Sequence, residues 1–245
     1  MHNRMFKLAS VALALGLGVS AQAGFINGGF ETGDFTGWTL EHGFNGGANN
    51  FVPSAGTVDA IVVTPAYVDP YSPYDGVINE TRTARINDFA NGNEATRISQ
   101  TGIMLAGETD VFINWAAVME DPGHPSGQDP FFSIVVNVNG VLAGSESHSA
   151  GVGVGWTAGP AFGGPNGSTV FYKSGQFHLS GLNAGDSVQV VMTVLDCSQT
   201  GHSGWAYLDG IGTVAQPPVG APDGGSTALL LAPALLGLLA LRRKK

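Results

Sequence analysis

The chain has 245 residues, a formal net charge of −9, 37 glycines and only 12% charged residues. Between Gly24 and Ala221 the cations are Arg82, Arg85, Arg97 and Lys173 against eighteen acids, so a basic nucleic-acid footprint is absent and the acidic surface suits hard cations instead. The single cysteine, Cys197, excludes an intrachain disulfide, and its expected place is the interior, where a thiol packs as a small apolar group.

Residues 1–23 read as an export signal. Arg4 and Lys7 give the positive start, Leu8–Val19 the apolar stretch, and Ala21-Gln22-Ala23 a small-x-small cleavage pattern, so the mature chain is expected to begin at Gly24. The apolar stretch is too short to span a bilayer comfortably.

Residues 24–214 read as one β-rich domain, with no fixed repeat and no strong helical period. Thr57–Thr64, Thr109–Met119, Phe131–Gly144, Thr169–Gly181 and Ser187–Cys197 are rich in β-branched and aromatic residues, the composition of strands. Asn139-Gly140 lies between apolar alternations and predicts a two-residue hairpin, because both residues tolerate positive φ. Asn183–Asp186 predicts another turn. Strands at this spacing suggest a sandwich. Trp38, Trp115 and Trp205 sit on strand-like text and are expected in the core.

Residues 215–225 form a Pro/Gly linker ending in a small polar motif, and 226–245 carry an apolar run and a basic end. Ala228–Leu241 reaches about 21 Å as a helix, against a membrane core of about 30 Å. Arg242–Lys245 would stay on the cytoplasmic side. Such a segment can halt in the membrane during export but makes a marginal permanent anchor.

The small motif, apolar helix and Arg-rich end resemble the PEP-CTERM class of bacterial sorting signals, in its VPDSG-type variant. The resemblance rests on Pro222, Asp223, Gly224, Gly225, Ser226 and Thr227; Ala221 and Gly224 depart from the usual Val and Ser. It implies processing by an exosortase-type membrane protease, transient membrane insertion, and delivery to the cell surface or extracellular matrix of a bacterium that makes exopolysaccharide.

The stretches "GFINGGFETGDFTGWTL", "ATRISQTGIMLAGETDVFINWAA" and "WAYLDGIG" resemble the first, paired central and closing strands of galactose-binding-like jelly rolls, which include many carbohydrate-binding modules. The expected fold is therefore an all-β jelly-roll β-sandwich flanked by an N-terminal signal helix and a C-terminal hydrophobic helix. "VMEDPGHPSGQDPFFSIVV" and "VLDCSQTGHSGWAYLDGIG" resemble domains of adhesin-type bacterial surface proteins. In the jelly-roll family, an acid after the first-strand Phe and an Asp on the last strand help hold a structural calcium. The matching positions are Glu31 and Asp209, and two carboxylates with backbone carbonyls suit Ca²⁺. The competing reading has both carboxylates satisfying turn N–H groups.

Three further groups carry chemistry. Tyr71 and Tyr74, with Tyr67, lie among prolines, and Trp156 lies in a glycine-rich stretch. Flat rings there suit the faces of pyranose sugars, against the alternative of local loop packing. Glu120, Asp121 and His124, and Asp196, Cys197 and His202, are carboxylate-imidazole sets in two similar contexts. They could bind a transition metal, but the spacing matches no closed zinc signature, and the expectation is that they bond loop backbone. No nucleophile elbow, zincin motif or P-loop is present in the sequence. The expected function is non-enzymatic: an exported surface or matrix component that binds polysaccharide, stabilised by calcium. The alternatives are a structural or adhesive protein without a glycan site, and a hydrolase with a site the sequence does not reveal.

Overall fold

The computed structural model describes residues 24–72, 81–90, 92–125, 127–150, 153, 155–159 and 163–215. The two expected terminal helices, Tyr74, and Pro222, Asp223, Gly224 and Gly225 lie outside the described residues. Among the described residues, twelve strands form two six-stranded antiparallel sheets: β1 Thr39–Asn45, β2 Phe51–Pro53, β3 Ala60–Val63, β4 Thr83–Ile86, β5 Glu94–Ile103, β6 Asp110–Asp121, β7 Phe131–Val138, β8 Val141–Ser149, β9 Thr157–Ala158, β10 Thr169–Ser180, β11 Ser187–Leu195 and β12 Gly204–Gly212. Sheet A runs β2-β1-β5-β11-β7-β8, and sheet B runs β3-β4-β12-β6-β10-β9. Successive strands β5, β6 and β7 alternate A, B, A, and β10, β11 and β12 alternate B, A, B. That crossing between layers makes the sandwich a jelly roll.

The core lies between the sheets. Val111, Ile113, Trp115, Ala117 and Met119 of β6 face Val188, Val190, Met192 and Val194 of β11, with Phe132, Ile134 and Val136 of β7 alongside. Trp38, Trp115 and Trp205 are buried as expected. The other face of β6 is buried too. Ala116 and Val118 join Val63, Val170, Trp205 and Tyr207 in a second cluster on the outer face of sheet B. This double burial explains why β6 reads as a continuous apolar run rather than an alternation.

The hairpin at Asn139-Gly140 forms as the sequence predicts, with φ of 53° and 80° joining β7 to β8. Two strand readings are corrected. Residues 24–38 form turns, not a first strand, and β1 begins only at Thr39. Phe30, at φ 58° and fully buried, stacks on Trp38 at 5.0 Å, so packing rather than sheet pairing fixes this segment. The expected central pair is not a pair: β5 bonds β1 and β11 in sheet A, while β6 bonds β10 and β12 in sheet B.

Candidate functional site

At the paired edges of the sandwich, β8 closes sheet A and β9 with β10 closes sheet B. Here the inward-facing residues turn polar. On β8, Glu146 and His148 alternate with exposed Ser145 and Ser147. On β10, Lys173 and Gly175 share the inward parity of buried Phe177. A Cβ on Gly175 would meet the Trp115 ring at 2.8 Å, so glycine is what lets that indole lie against β10.

The polar groups form one chain. Trp115 Nε1 donates to Glu146 Oε2 at 3.2 Å, His148 Nε2 lies 2.9 Å from Glu146 Oε1, and Lys173 Nζ lies 3.3 Å from His148 Nδ1. Because an ammonium can only donate, His148 Nδ1 accepts and Nε2–H donates to Glu146. Trp156 stands perpendicular to the His148 ring, 6.2 Å between centroids, and packs partly buried against the core edge. The Glu146 side chain keeps 29% of its exposure, so carboxylate, imidazole, ammonium and indole meet at a solvent-accessible edge. Such a set offers acceptors, donors and a flat apolar wall within one small area.

Sequence reasoning found Trp156 but missed Glu146, His148 and Lys173. The signal was there: "SESHS" alternates serine with ionisable residues inside a strand, and Lys173 is the one lysine between the two ends of the chain.

Tyr71 is placed differently. It meets Trp205 edge-on at 5.7 Å and Phe89 at 5.5 Å, on the outer face of sheet B. Beneath it, buried Asp69 accepts from Trp205 Nε1 at 2.7 Å and from the Tyr207 hydroxyl, and its other oxygen accepts from the Tyr71 and Ser72 backbone N–H groups. Tyr71 therefore helps pin the 64–72 loop over the sheet. Burial, reinforced by the Asp69 charge, pushes the Tyr207 hydroxyl far above its ordinary range, so it stays a donor.

Glu31 and Asp209 both reach one short segment. Thr81 donates to Glu31 through its backbone N–H at 3.0 Å and through its hydroxyl, and the Thr83 hydroxyl donates to Asp209 Oδ2 at 3.0 Å. The Ile211 N–H also donates to Gly28 O at 3.4 Å, so the opening turns lie against the last strand.

A second acidic group gathers near the β4–β5 connection. Asp196 is fully buried, with Oδ1 accepting from Asn87 Nδ2 at 2.8 Å and Gly204 N–H at 3.0 Å, while its Oδ2 has no hydrogen-bond partner. Desolvation first, and the charges of Asp88 and Glu94 beside it, hold its carboxyl well above the ordinary range. Glu94 is also raised, by burial and then by Asp59. A raised carboxyl means that the folded state binds the proton more tightly than the unfolded state. The contribution of Asp196 to stability is therefore fully present below its unfolded pKa, near 3.8, and is lost as pH rises through its raised folded value. Urea unfolding at pH 5 and pH 8 checks this: the native chain loses stability between them, and Asp196→Asn, which keeps the Oδ1-type acceptor without the charge, loses measurably less.

Cys197 and His202 come together, with the thiol sulfur 3.5 Å from His202 Nδ1. Burial pushes the thiol up and the imidazole down. That is the opposite of the thiolate-imidazolium pairing that activates a nucleophile.

The described residues form an antiparallel two-sheet β-sandwich with a polar and aromatic cluster at one edge. The C-terminal residues 222–245 match the VPDSG-CTERM motif, so the chain carries a C-terminal sorting motif. A search of curated protein sequences found no match. Among solved structures, it is similar to TmCBM61 in complex with β-1,4-galactotriose, at 12% identity and a TM-score of 0.42, covering 78% of this chain and 97% of that one. It is also similar to the enzymatically active domain of bacteriophage CBA120 tailspike protein 4, at 13% identity and a TM-score of 0.40, covering 78% of this chain and 21% of that one. A third similarity is to carbohydrate-binding modules of the β-sandwich superfamily, at 11% identity and a TM-score of 0.33, covering 79% of this chain and 63% of that one.

Proposed function

We propose that this is an exported bacterial surface or extracellular-matrix protein, non-enzymatic, that binds polysaccharide at the cluster formed by Glu146, His148, Lys173 and Trp156. The observation that supports the binding reading is the Glu146-His148-Lys173 chain standing beside the Trp156 ring at a partly exposed sandwich edge. Vicinal hydroxyls of a sugar both donate and accept, so a carboxylate and an ammonium on either side of one imidazole match them, while the indole takes the apolar ring face. The address rests on the motif at 222–245. An exosortase-type protease would act there, after transient insertion of the apolar run in the membrane.

Structural calcium at Glu31 and Asp209 belongs to the same proposal. Both carboxylates converge on Thr81–Thr83, whose hydroxyl and carbonyl oxygens are hard donors of the kind Ca²⁺ takes. An ion there would tie the opening turns to the last strand.

Affinity gel electrophoresis against immobilised exopolysaccharide from the native host tests the binding reading. Retarded migration of the protein, relieved by free polysaccharide, supports it. Unretarded migration of the folded protein favours the alternative, a structural or adhesive domain that contacts other proteins.

A further inference from the structure

Two loops that the sequence spaces far apart close on one another at the end of the sandwich, the segments 122–125 and 127–130 after β6 and the segment 196–203 between β11 and β12. The second loop is a tight turn. The Cys197 N–H donates to His202 O at 3.1 Å and the Thr200 N–H to Cys197 O at 3.3 Å, with Thr200 and Gly201 at φ of 64° and 101°. This turn folds the His202 ring back over the Cys197 thiol. The first loop is stitched to it where the Ser198 N–H donates to Gln128 O at 3.0 Å. It brings the His124 ring against His202 at 5.1 Å, edge to face. One nitrogen of each imidazole and the Cys197 sulfur thus lie within 4.8 Å of one another.

We propose that His124, Cys197 and His202 bind a single zinc-type divalent ion, near the buried carboxylate of Asp129. Three observations support this. A tetrahedral zinc with bonds of about 2.3 Å to sulfur and about 2.0–2.1 Å to nitrogen holds the two ligand atoms about 3.6 Å apart. Cys197 Sγ and His202 Nδ1 already stand 3.5 Å apart. Among the described residues, His124 Nδ1 and Asp129 Oδ1 are buried with no hydrogen-bond partner, and Asp129 is only 4% exposed. Orphaned buried polar atoms of this kind are uncommon, and an ion satisfies them. The donor set, two imidazoles with one thiolate and a nearby carboxylate, is of the softness that zinc takes and calcium does not. On binding, the Cys197 thiol gives its proton to solvent and the sulfur bonds the metal, with no change of oxidation state. The site is separate from the Trp156 cluster and from Glu31 and Asp209, and it does not depend on polysaccharide binding.

The test uses the full chain, purified in detergent under reducing conditions, stripped with chelator and titrated with Co²⁺ and then Zn²⁺. The expected result is a thiolate-to-cobalt charge-transfer band with the intense visible bands of a tetrahedral ion, saturating at one equivalent and abolished by zinc. Cys197→Ser removes the charge-transfer band, and His124→Ala, at a partly exposed loop position, weakens zinc by at least about tenfold. Circular dichroism verifies the fold of each variant. A folded native chain that gives no tetrahedral cobalt spectrum overturns the proposal, as does a charge-transfer band that survives in Cys197→Ser. If Cys197→Ser does not fold, zinc affinity unchanged in His124→Ala overturns it on its own.

Discussion

Replacing Asp69 by alanine will lower the unfolding free energy by about 4 kcal/mol, the largest stability effect expected from one side chain in this protein. Asp69 is the polar centre of the outer face of sheet B. One oxygen takes the Trp205 indole N–H and the Tyr207 hydroxyl, and the other takes two backbone N–H groups of its own loop. Trp205 and Tyr207 are both fully buried on β12. Alanine leaves the Trp205 indole N–H without its acceptor and out of reach of water, at about 1–3 kcal/mol, and takes from the Tyr207 hydroxyl its charged acceptor, leaving the longer 3.3 Å bond to the Tyr67 hydroxyl. The two loop N–H groups can rehydrate if the loop lifts, but lifting exposes the edge contacts of Tyr71 with Trp205 and Phe89. Urea unfolding followed by tryptophan fluorescence measures this. At about 2–4 °C per kcal/mol for a domain of this size, the melting temperature should fall by about 10 °C. A loss below about 1 kcal/mol would mean that the 64–72 loop contributes little to holding sheet B closed.

Trp156→Ala will reduce retention on the host polysaccharide by about 10- to 100-fold, with little change in stability. A ring at the centre of a binding surface typically carries 2 kcal/mol or more, and about 1.4 kcal/mol is tenfold in affinity. Trp156 is only partly buried at the core edge, so its removal leaves the interior packing of Trp115 and Phe132 in place. Glu146→Gln should cost about tenfold, because the neutral amide keeps the shape of the carboxylate but gives up its charge-assisted bonds. Retention unchanged in Trp156→Ala would remove the cluster from the account.

The elements legible in the sequence were those whose pattern depends on neighbours in the chain. The Asn139-Gly140 hairpin follows from local φ preference, and β10 and β11 follow from text rich in β-branched and aromatic residues. The opening segment misled because its aromatics resemble a strand but are used for packing: Phe30 sits at positive φ and stacks on Trp38. Short strands such as β2 and β9 exist only because a long partner strand lies beside them, which no local pattern encodes.

Site residues divide in the same way. Trp156 was visible because an aromatic in a glycine-rich stretch is conspicuous. Glu146 and Lys173 were not, since their meeting requires β8 and β10, the edge regions of different sheets, to face each other. The approach of His124 to Cys197 and His202 likewise depends on the two loops sharing one end of the sandwich. Tyr71 reads from its loop context as a candidate ring for a sugar face, but a buried carboxylate beneath the loop, Asp69, decides where the ring goes. Asp69 itself looked like one more turn residue, and only the register of β12 shows that it caps two aromatic donors.

The central claim is that the chain is exported and handed over by its C-terminal motif. Intact mass of protein recovered from the native host, divided into membrane, surface and medium fractions, tests it most directly. The account predicts a surface or medium species that begins at Gly24 and ends near Asp223–Ser226, without the basic end. A mature chain that keeps Arg242–Lys245 and stays in the membrane fraction would contradict it, leaving a tail-anchored surface domain in place of a sorted one.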